Sequence, residues 1–104
     1  MSIHLNADTS TTWHGAQVFY DNVLSENENI AKYIQESLIK NLNTKREYKQ
    51  ITGQYMYKRI KVPGVLVEAG FITNGNERYL LKQSNYQIKL SKSITDGIIN
   101  YFTK

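Results

Sequence analysis

The run Val65-Leu66-Val67 constrains the fold of this chain more than any other feature of its sequence. It is the most apolar, β-branched stretch present, and such a run is typical of a central strand buried on both faces. Gly70 and the segment Thr73-Asn74-Gly75-Asn76 are expected to end this strand. The rest of the chain is therefore expected to form layers around it.

Two shorter strands and a polar loop are predicted at the start of the chain. Ser2 to Ala7 alternates polar and apolar residues, which is the period of a strand, so His4 and Asn6 are expected to point the same way. Asp8 to His14 is predicted to form a polar surface loop, and Ala16 to Tyr20 a second strand.

An amphipathic helix is predicted from Glu26 to about Leu42. Ser25 followed by Glu28 has the spacing of a capping box. Apolar residues then recur at i+4 intervals, which is the pattern of a helix with one buried face: Ile30, Ile34, Leu38 and Leu42.

The segment between this helix and the central strand has weaker signals. Asn43 to Thr52 is polar and basic and is predicted to be a loop, and Gln54 to Lys58 has the alternation of a strand. Val62-Pro63-Gly64 is a turn signal.

Two helices are predicted after the central strand. Glu77 to Leu81 suits a short helix, and a last helix is expected from near Ser84, with Gln87 in a capping box, to about Phe102. The order of elements predicts an α/β fold with a mostly parallel sheet flanked by helices.

Length and composition limit the classes of protein that fit. With 104 residues, 40% of them hydrophobic, the chain is predicted to be globular and at most one domain. It contains no cysteine, which excludes disulfides and thiolate metal ligands. No apolar stretch reaches the roughly 20 residues of a membrane span, and this chain shows no signal peptide.

Positive charge is concentrated after the first third of the chain. Residues 1–36 hold five acidic residues and one base, and the remainder holds twelve bases and four acidic residues. Tyrosines interleave the basic segment from Lys40 to Lys61, as in nucleic-acid-binding surfaces. No nucleic-acid motif accompanies the segment, so a solvated face or a surface for a polyanionic substrate matrix fits equally well.

Glu68 is the strongest candidate for a functional residue. It directly follows the apolar run, where burial without a partner costs several kcal/mol, so it needs a cation, a proton or a chemical role. Functional groups of α/β sheets gather at the carboxyl ends of strands. The alternative is an ion pair with a lysine or with Arg59.

His4 is a candidate metal ligand on the first strand. A lone strand histidine is more often a hydrogen-bonded structural residue, although Asn6 on the same face offers a partner that a ligand needs. His14, ten residues later, is a weaker candidate for a site with His4 and Glu68.

Five segments together carry a family resemblance. They occur in the order SIHLNA, GAQVFY, IAKYIQESL, VPGVLVEAGFITN and SITDGIINYF. In this order and spacing the chain resembles, over essentially its whole length, the zinc-dependent N-acetylmuramoyl-L-alanine amidases (type 3) of bacterial cell-wall turnover. SIHLNA, TGQYMYKR and the YQ before the last helix are similar to the germination-specific amidases of endospore formers.

The resemblance implies both an activity and roles for individual residues. Family members hold Zn²⁺ with two histidines and a glutamate and cleave the amide between N-acetylmuramic acid and L-alanine in peptidoglycan. By position in the SIHxNA and VExGF segments, His4 is implied to be the second zinc histidine and Glu68 the catalytic general base. Asn6 is implied to bind substrate or to support the ligand. The implied location is extracytoplasmic, in the cell wall or spore cortex during sporulation and germination.

Departures from the family pattern limit what the chain is expected to do. The family's first zinc histidine and its zinc glutamate lie upstream of SIHxNA and have no counterpart here, and Gly75 stands where many members have proline. Residues 1–104 are therefore expected to be the C-terminal portion of a single amidase catalytic domain, truncated at its N-terminus and inactive alone.

Further expectations follow for stability and partners. The apolar side of Ile3 to Ala7 and the sheet edge are expected to be exposed, which predicts a marginal or aggregation-prone chain. A non-catalytic amidase remnant or a cell-wall-binding module remains open as an alternative. Peptidoglycan is the expected partner, nucleic acid is not expected, and a second polypeptide with the missing N-terminal half is a further candidate.

Overall fold

A computed structural model describes residues 1–51 and 64–104. The elements are β1 Ser2–Asn6, β2 Gln17–Tyr20, α1 Glu26–Leu42, β3 Lys49–Gln50, β4 Leu66–Phe71, α2 Gly75–Leu81 and α3 Ser84–Phe102. The strand predicted at Gln54 to Lys58 lies outside the described residues, as does most of the predicted Val62-Pro63-Gly64 turn. No helix of the described parts has the length and apolarity to cross a membrane.

The four strands form one mixed sheet in the order β1-β4-β2-β3. β1 pairs with β4 in parallel, β2 pairs with β3 in parallel, and β2 runs antiparallel to β4. The α/β prediction is confirmed, but the antiparallel pairing was not predicted. It arises because only residues 7–16, without a helix, connect β1 to β2, so the chain re-enters the sheet at the end where β1 left it.

β4 lies between β1 and β2, as the apolar run predicted for a central strand. The strand is longer than expected, because it continues through Gly70 to Phe71. Glu68 is therefore inside the strand and not beyond its end. Val65, Val67 and Ala69 are buried in the hydrophobic core, together with residues of β2, α1 and α3.

α1 has the predicted bounds, but the predicted capping box is absent. Ser25 has helical backbone angles (φ −60°, ψ −30°) and makes no side-chain cap hydrogen bond. The buried side chain of Asn27 ties down this end of the helix instead. Its amide donates to both the backbone and the carboxylate of Asp21, and its Oδ1 accepts the Gly64 N–H at 2.8 Å.

α2 begins earlier than predicted, and α3 lacks its predicted cap. α2 begins at Gly75, two residues early, because the Asn74 side chain accepts the Glu77 N–H and caps the helix. α3 has the predicted bounds, but its N-cap is Gln83 without a side-chain hydrogen bond. The Gln87 amide donates to the Leu81 carbonyl at 2.8 Å, so no Ser84–Gln87 capping box forms.

The basic segment that was predicted to be a loop contains a short strand. β3 spans only Lys49–Gln50 and pairs with the end of β2. A strand of two residues is too short to show an alternation of polar and apolar side chains. It forms because its backbone pairs with β2, and not because of its sequence pattern.

Gly97 allows α1 and α3 to approach each other closely. A Cβ atom at this position would lie 2.6 Å from the Ile34 Cα and 3.0 Å from the Tyr33 carbonyl oxygen. The buried Ser37 hydroxyl donates to the Ser93 carbonyl at 2.6 Å across the same interface. The core therefore depends on a contact with α1 that only glycine permits.

We predict that Gly97→Ala lowers the free energy of unfolding by about 1–3 kcal/mol in urea denaturation, because the methyl group overpacks the helix interface. Gly75→Ala is the matched control, since a Cβ there has Arg78 Nη2 as its nearest neighbour at 3.9 Å. Equal stability of the two variants would contradict the close packing.

Candidate active site

Three polar side chains form a row across the middle of the sheet. Glu68 on β4 is paired in register with His4 on β1 and with Gln17 on β2. Residues adjacent in register point to the same face of a sheet, whereas successive residues of one strand alternate. Because Val67 faces the core, the row lies on the opposite face from α1 and α3.

The Glu68 carboxylate lacks compensation for its desolvation. Burial raises its pKa above the ordinary value, and the charge of nearby His4 offsets this only in part. Oε2 is buried and has no hydrogen-bond partner among the described residues. Within residues 1–51 and 64–104, no ion pair reaches Glu68. The burial expected for Glu68 is thus present. The alternative prediction, an ion pair with Arg59, lies outside the described residues.

His4 and Asn6 lie on the edge strand with different surroundings. His4 is exposed beside Glu68. Asn6 lies beyond an irregularity in the β1–β4 register and is paired with Phe71. Its Oδ1 accepts the Ala7 N–H at 2.8 Å, so its side chain closes the end of β1.

The described residues do not form a complete metal site. Among them there is no group of three histidine, aspartate or glutamate side chains able to hold a metal ion. His14 is on the loop after β1, with Nδ1 2.9 Å from the Thr12 carbonyl oxygen. A catalytic zinc needs three protein ligands. His4 fits one such position, and the unpartnered Glu68 oxygen fits a group that acts beside a cation.

Another buried carboxylate, Glu77, was not predicted to have any special role. Its oxygens accept the Gly15 N–H at 2.9 and 3.0 Å, and Oε1 also accepts the Phe71 N–H at 2.7 Å. A Cβ at Gly70, which has φ +157°, would lie 2.8 Å from this carboxylate. Glu77 therefore joins the end of β4, at Phe71, three residues beyond Glu68, to the segment just before β2, at Gly15.

Only a weak sequence signal pointed to Glu77. Asn74 and Glu77 have the spacing of a capping box, which indicates a helix start. Asn74 does cap the helix, but the Glu77 side chain turns to other segments of the chain. Contacts over 62 residues of sequence cannot be inferred from that spacing.

The loop between β1 and β2 is held by side chains from distant segments. The Thr73 hydroxyl accepts the Asp8 N–H at 3.2 Å, and the Asn74 amide donates to the Thr11 carbonyl at 2.9 Å. Arg46 Nε donates to the His14 carbonyl at 2.9 Å. The polar loop predicted from sequence is therefore anchored at the same end of the sheet as the carboxyl end of β4.

Fold and site together define an α/β domain in which a histidine lies beside a desolvated carboxylate. The N-acetylmuramoyl-L-alanine amidase family matches residues 1–100. The chain belongs to this family.

Individual relatives agree with this assignment. The chain is 49% identical over 105 aligned positions to the germination-specific N-acetylmuramoyl-L-alanine amidase of Bacillus subtilis, covering 100% of this chain and 44% of that protein. It is 36% identical to the amidase LytC of the same organism, covering 98% of this chain and 21% of LytC.

A solved structure gives the same result for the fold. The amidase CwlD of Clostridioides difficile, determined in complex with the lipoprotein GerS, superposes with a TM-score of 0.92 at 36% identity. The match covers 98% of this chain and 53% of CwlD. The chain therefore spans about half or less of the length of these relatives.

We predict that Glu68→Gln stabilises the metal-free chain at pH 7 and not at pH values below about 4. Folding raises the pKa of Glu68. Below the ordinary pKa of the unfolded chain the group is protonated in both states, so its burial costs no ionisation energy. As pH rises through the raised pKa of the folded chain, the folded state loses stability. Thermal unfolding with a chelator present measures the difference. Glu36→Gln, an exposed acid on α1, is the control; a pH-independent effect of Glu68→Gln would contradict the prediction.

Glu77→Ala is expected to lower the free energy of unfolding by about 3 kcal/mol, because two backbone N–H groups lose a charged acceptor. Glu36→Ala removes an equal but exposed side chain and serves as the control. Hydrogen exchange should also quicken at the Gly15 and Phe71 amides. Unchanged exchange at both amides would show that Glu77 does not hold them.

Proposed function

We propose that this chain is part of the catalytic domain of an N-acetylmuramoyl-L-alanine amidase that acts on peptidoglycan. The observation that carries the proposal is the buried, unpartnered Glu68 oxygen beside His4, within a chain of this family. A carboxylate left in this state is costly unless it performs a reaction or faces a cation.

Glu68 acts as the general base in this proposal. It takes a proton from a water molecule whose oxygen forms a bond to the lactyl carbonyl carbon of the muramic acid. The bond from that carbon to the L-alanine nitrogen then breaks, and Glu68 delivers the proton to the departing nitrogen. Burial raises the pKa of Glu68, which makes the carboxylate a stronger base for the first step.

His4 is the residue of this chain that would hold zinc, and Asn6 would keep the end of β1 in place beside it. When bound, zinc lowers the pKa of water and polarises a carbonyl. The closeness of His4 to Glu68 supports this assignment, because the base and the ligand must both reach the reacting centre.

We propose further that the remaining metal ligands come from polypeptide outside these 104 residues. The edge strand β1 exposes Ile3 and Leu5 by 55% and 58%. Large apolar side chains on a sheet edge favour pairing with another segment. A segment that pairs there would lie next to His4 and complete the site.

The names of relatives support a place of action. One is germination-specific, and CwlD was solved with the lipoprotein GerS. Action at the cell wall or spore cortex is the corresponding proposal for this chain.

The proposal predicts that the chain alone has negligible amidase activity and that a complementing polypeptide restores it. The complement is the part of the B. subtilis relative that this chain does not cover. The assay follows new L-alanine amino groups in purified peptidoglycan. Glu68→Gln and His4→Ala should each lower the restored rate at least about 100-fold, and a chelator should abolish it.

Glu36→Gln on the exposed side of α1 is the control that should retain the rate. Hydrolysis that is insensitive to the chelator or to Glu68→Gln would refute the proposed roles. Binding to peptidoglycan without hydrolysis in any mixture would favour the second candidate, a cell-wall-binding module. This second candidate is supported by one observation: the described residues contain no group of three side chains that could hold a metal ion.

A further inference from the structure

A pocket of about 460 Å³ with mixed polar and apolar walls lies between the loop after β1 and the segment after α1. Trp13 and His14 line one side, and Thr44, Lys45 and Arg46 line the other. Both sides are at the end of the sheet where β4 ends, since Arg46 Cζ is 5.2 Å from the Phe71 ring centroid. The pocket thus adjoins the candidate active site and does not include Glu68.

The pocket walls are tied to the buried part of the fold. The Thr44 hydroxyl donates to the Ala16 carbonyl at 3.0 Å, and the buried Gln35 amide donates to the Arg46 carbonyl at 3.1 Å. Arg46 Nε donates to the His14 carbonyl, which links the two walls. A pocket held in this way needs little ordering when a ligand enters.

The chemistry of the pocket suits a carboxylate. The Arg46 guanidinium lies between the rings of Trp13, at 4.7 Å, and Phe71. Aromatic contacts orient the planar fork, which matches a carboxylate through two parallel hydrogen bonds. Within residues 1–51 and 64–104 the guanidinium donates one hydrogen bond, from Nε, and neither terminal nitrogen donates to a residue of these ranges.

Within the described part of the chain, no acidic side chain forms an ion pair with Arg46 or Lys45. The pocket lining contains none, and Lys45 is exposed without an ion pair to any described residue. Residues 52–63 contain no aspartate or glutamate in the sequence. An anionic ligand in the pocket would therefore meet two cations, with no carboxylate in the pocket lining to compete.

The distance to Glu68 indicates which part of a substrate would reach the pocket. Phe71 is three residues beyond Glu68 on β4, which is about 10 Å along a strand. An extended peptide covers the same distance in about three residues. A group held by Arg46 would therefore lie two or three residues from an amide bond at Glu68.

We propose that this pocket binds a free carboxylate of the peptidoglycan stem peptide, two or three residues beyond the scissile amide. The proposal rests on the proposed function, because it takes the scissile bond to lie at Glu68. In bacterial stem peptides the residue after L-alanine is a glutamate linked through its side chain, which leaves its α-carboxylate free. Arg46 binds this carboxylate, Lys45 adds charge, and the half-exposed Trp13 ring forms the pocket wall.

The test compares two ligands by NMR titration of the metal-free chain. One is N-acetylmuramoyl-L-alanyl-γ-D-glutamyl-L-lysinamide, and the other carries a carboxamide in place of its only stem carboxylate. The acid is expected to bind about tenfold more tightly, which is the effect of one charge-assisted hydrogen-bonded pair. Arg46→Gln should remove this difference, and Arg46→Lys should restore only part of it.

Two further variants separate a binding role from a structural one. Lys45→Gln changes a side chain without an ion pair and should weaken binding of the acid alone, while Lys92→Gln, exposed on α3, should change nothing. Equal affinity for the two ligands, an equal loss in Lys92→Gln, or equally tight binding of inorganic phosphate would overturn the proposal. The binding preference is measured without hydrolysis, so a preference for the acid would support the pocket even if the chain proved not to be part of an amidase. If hydrolysis is observed but the preference is absent, only the proposed carboxylate pocket is refuted.

Discussion

The Glu77 carboxylate is the interaction on which the arrangement of the site depends. It accepts backbone N–H groups from Gly15 and Phe71, and Gly70 makes room for it. Without an acceptor, these buried donors would carry a desolvation cost that no nearby helix or strand removes. One side chain thereby sets the end of β4 relative to the loop after β1. This connection holds the carboxyl end of β4, three residues beyond Glu68, beside the loop that forms one wall of the pocket.

Local periodicity was sufficient to predict most of the elements. α1 and α3 have their predicted bounds because apolar residues at helical spacing become the core. Both predicted capping boxes were wrong, because Ser25 is itself helical and Gln87 bonds to the preceding helix. The direction of β2 and the existence of β3 were missed, because they depend on how distant segments pair and not on local pattern.

The candidate site was predicted from two separate sources, the apolar residues before Glu68 and the family resemblance. The apolar run before Glu68 was enough to predict a desolvated carboxylate, which its raised pKa confirms. Nothing in the residues alone placed His4 beside it, because 64 positions separate them in the sequence; only the resemblance implied a shared site. Glu77 escaped notice because a glutamate in the first turn of a short helix ordinarily lies in solvent. The roles of His4, Asn6 and Glu68 stay predictions.

The parallel pairing of β1 with β4 has a consequence for synthesis on the ribosome. Ser2 is paired with Leu66, so β1 has no partner in β4 until that strand has been made. At about 5–20 residues per second, this delay lasts roughly 3 to 13 seconds. During that time β1, with its exposed Ile3 and Leu5, is open to other nascent chains or to chaperones. The yield of folded protein should therefore depend on the rate of translation as well as on the stability of the finished fold.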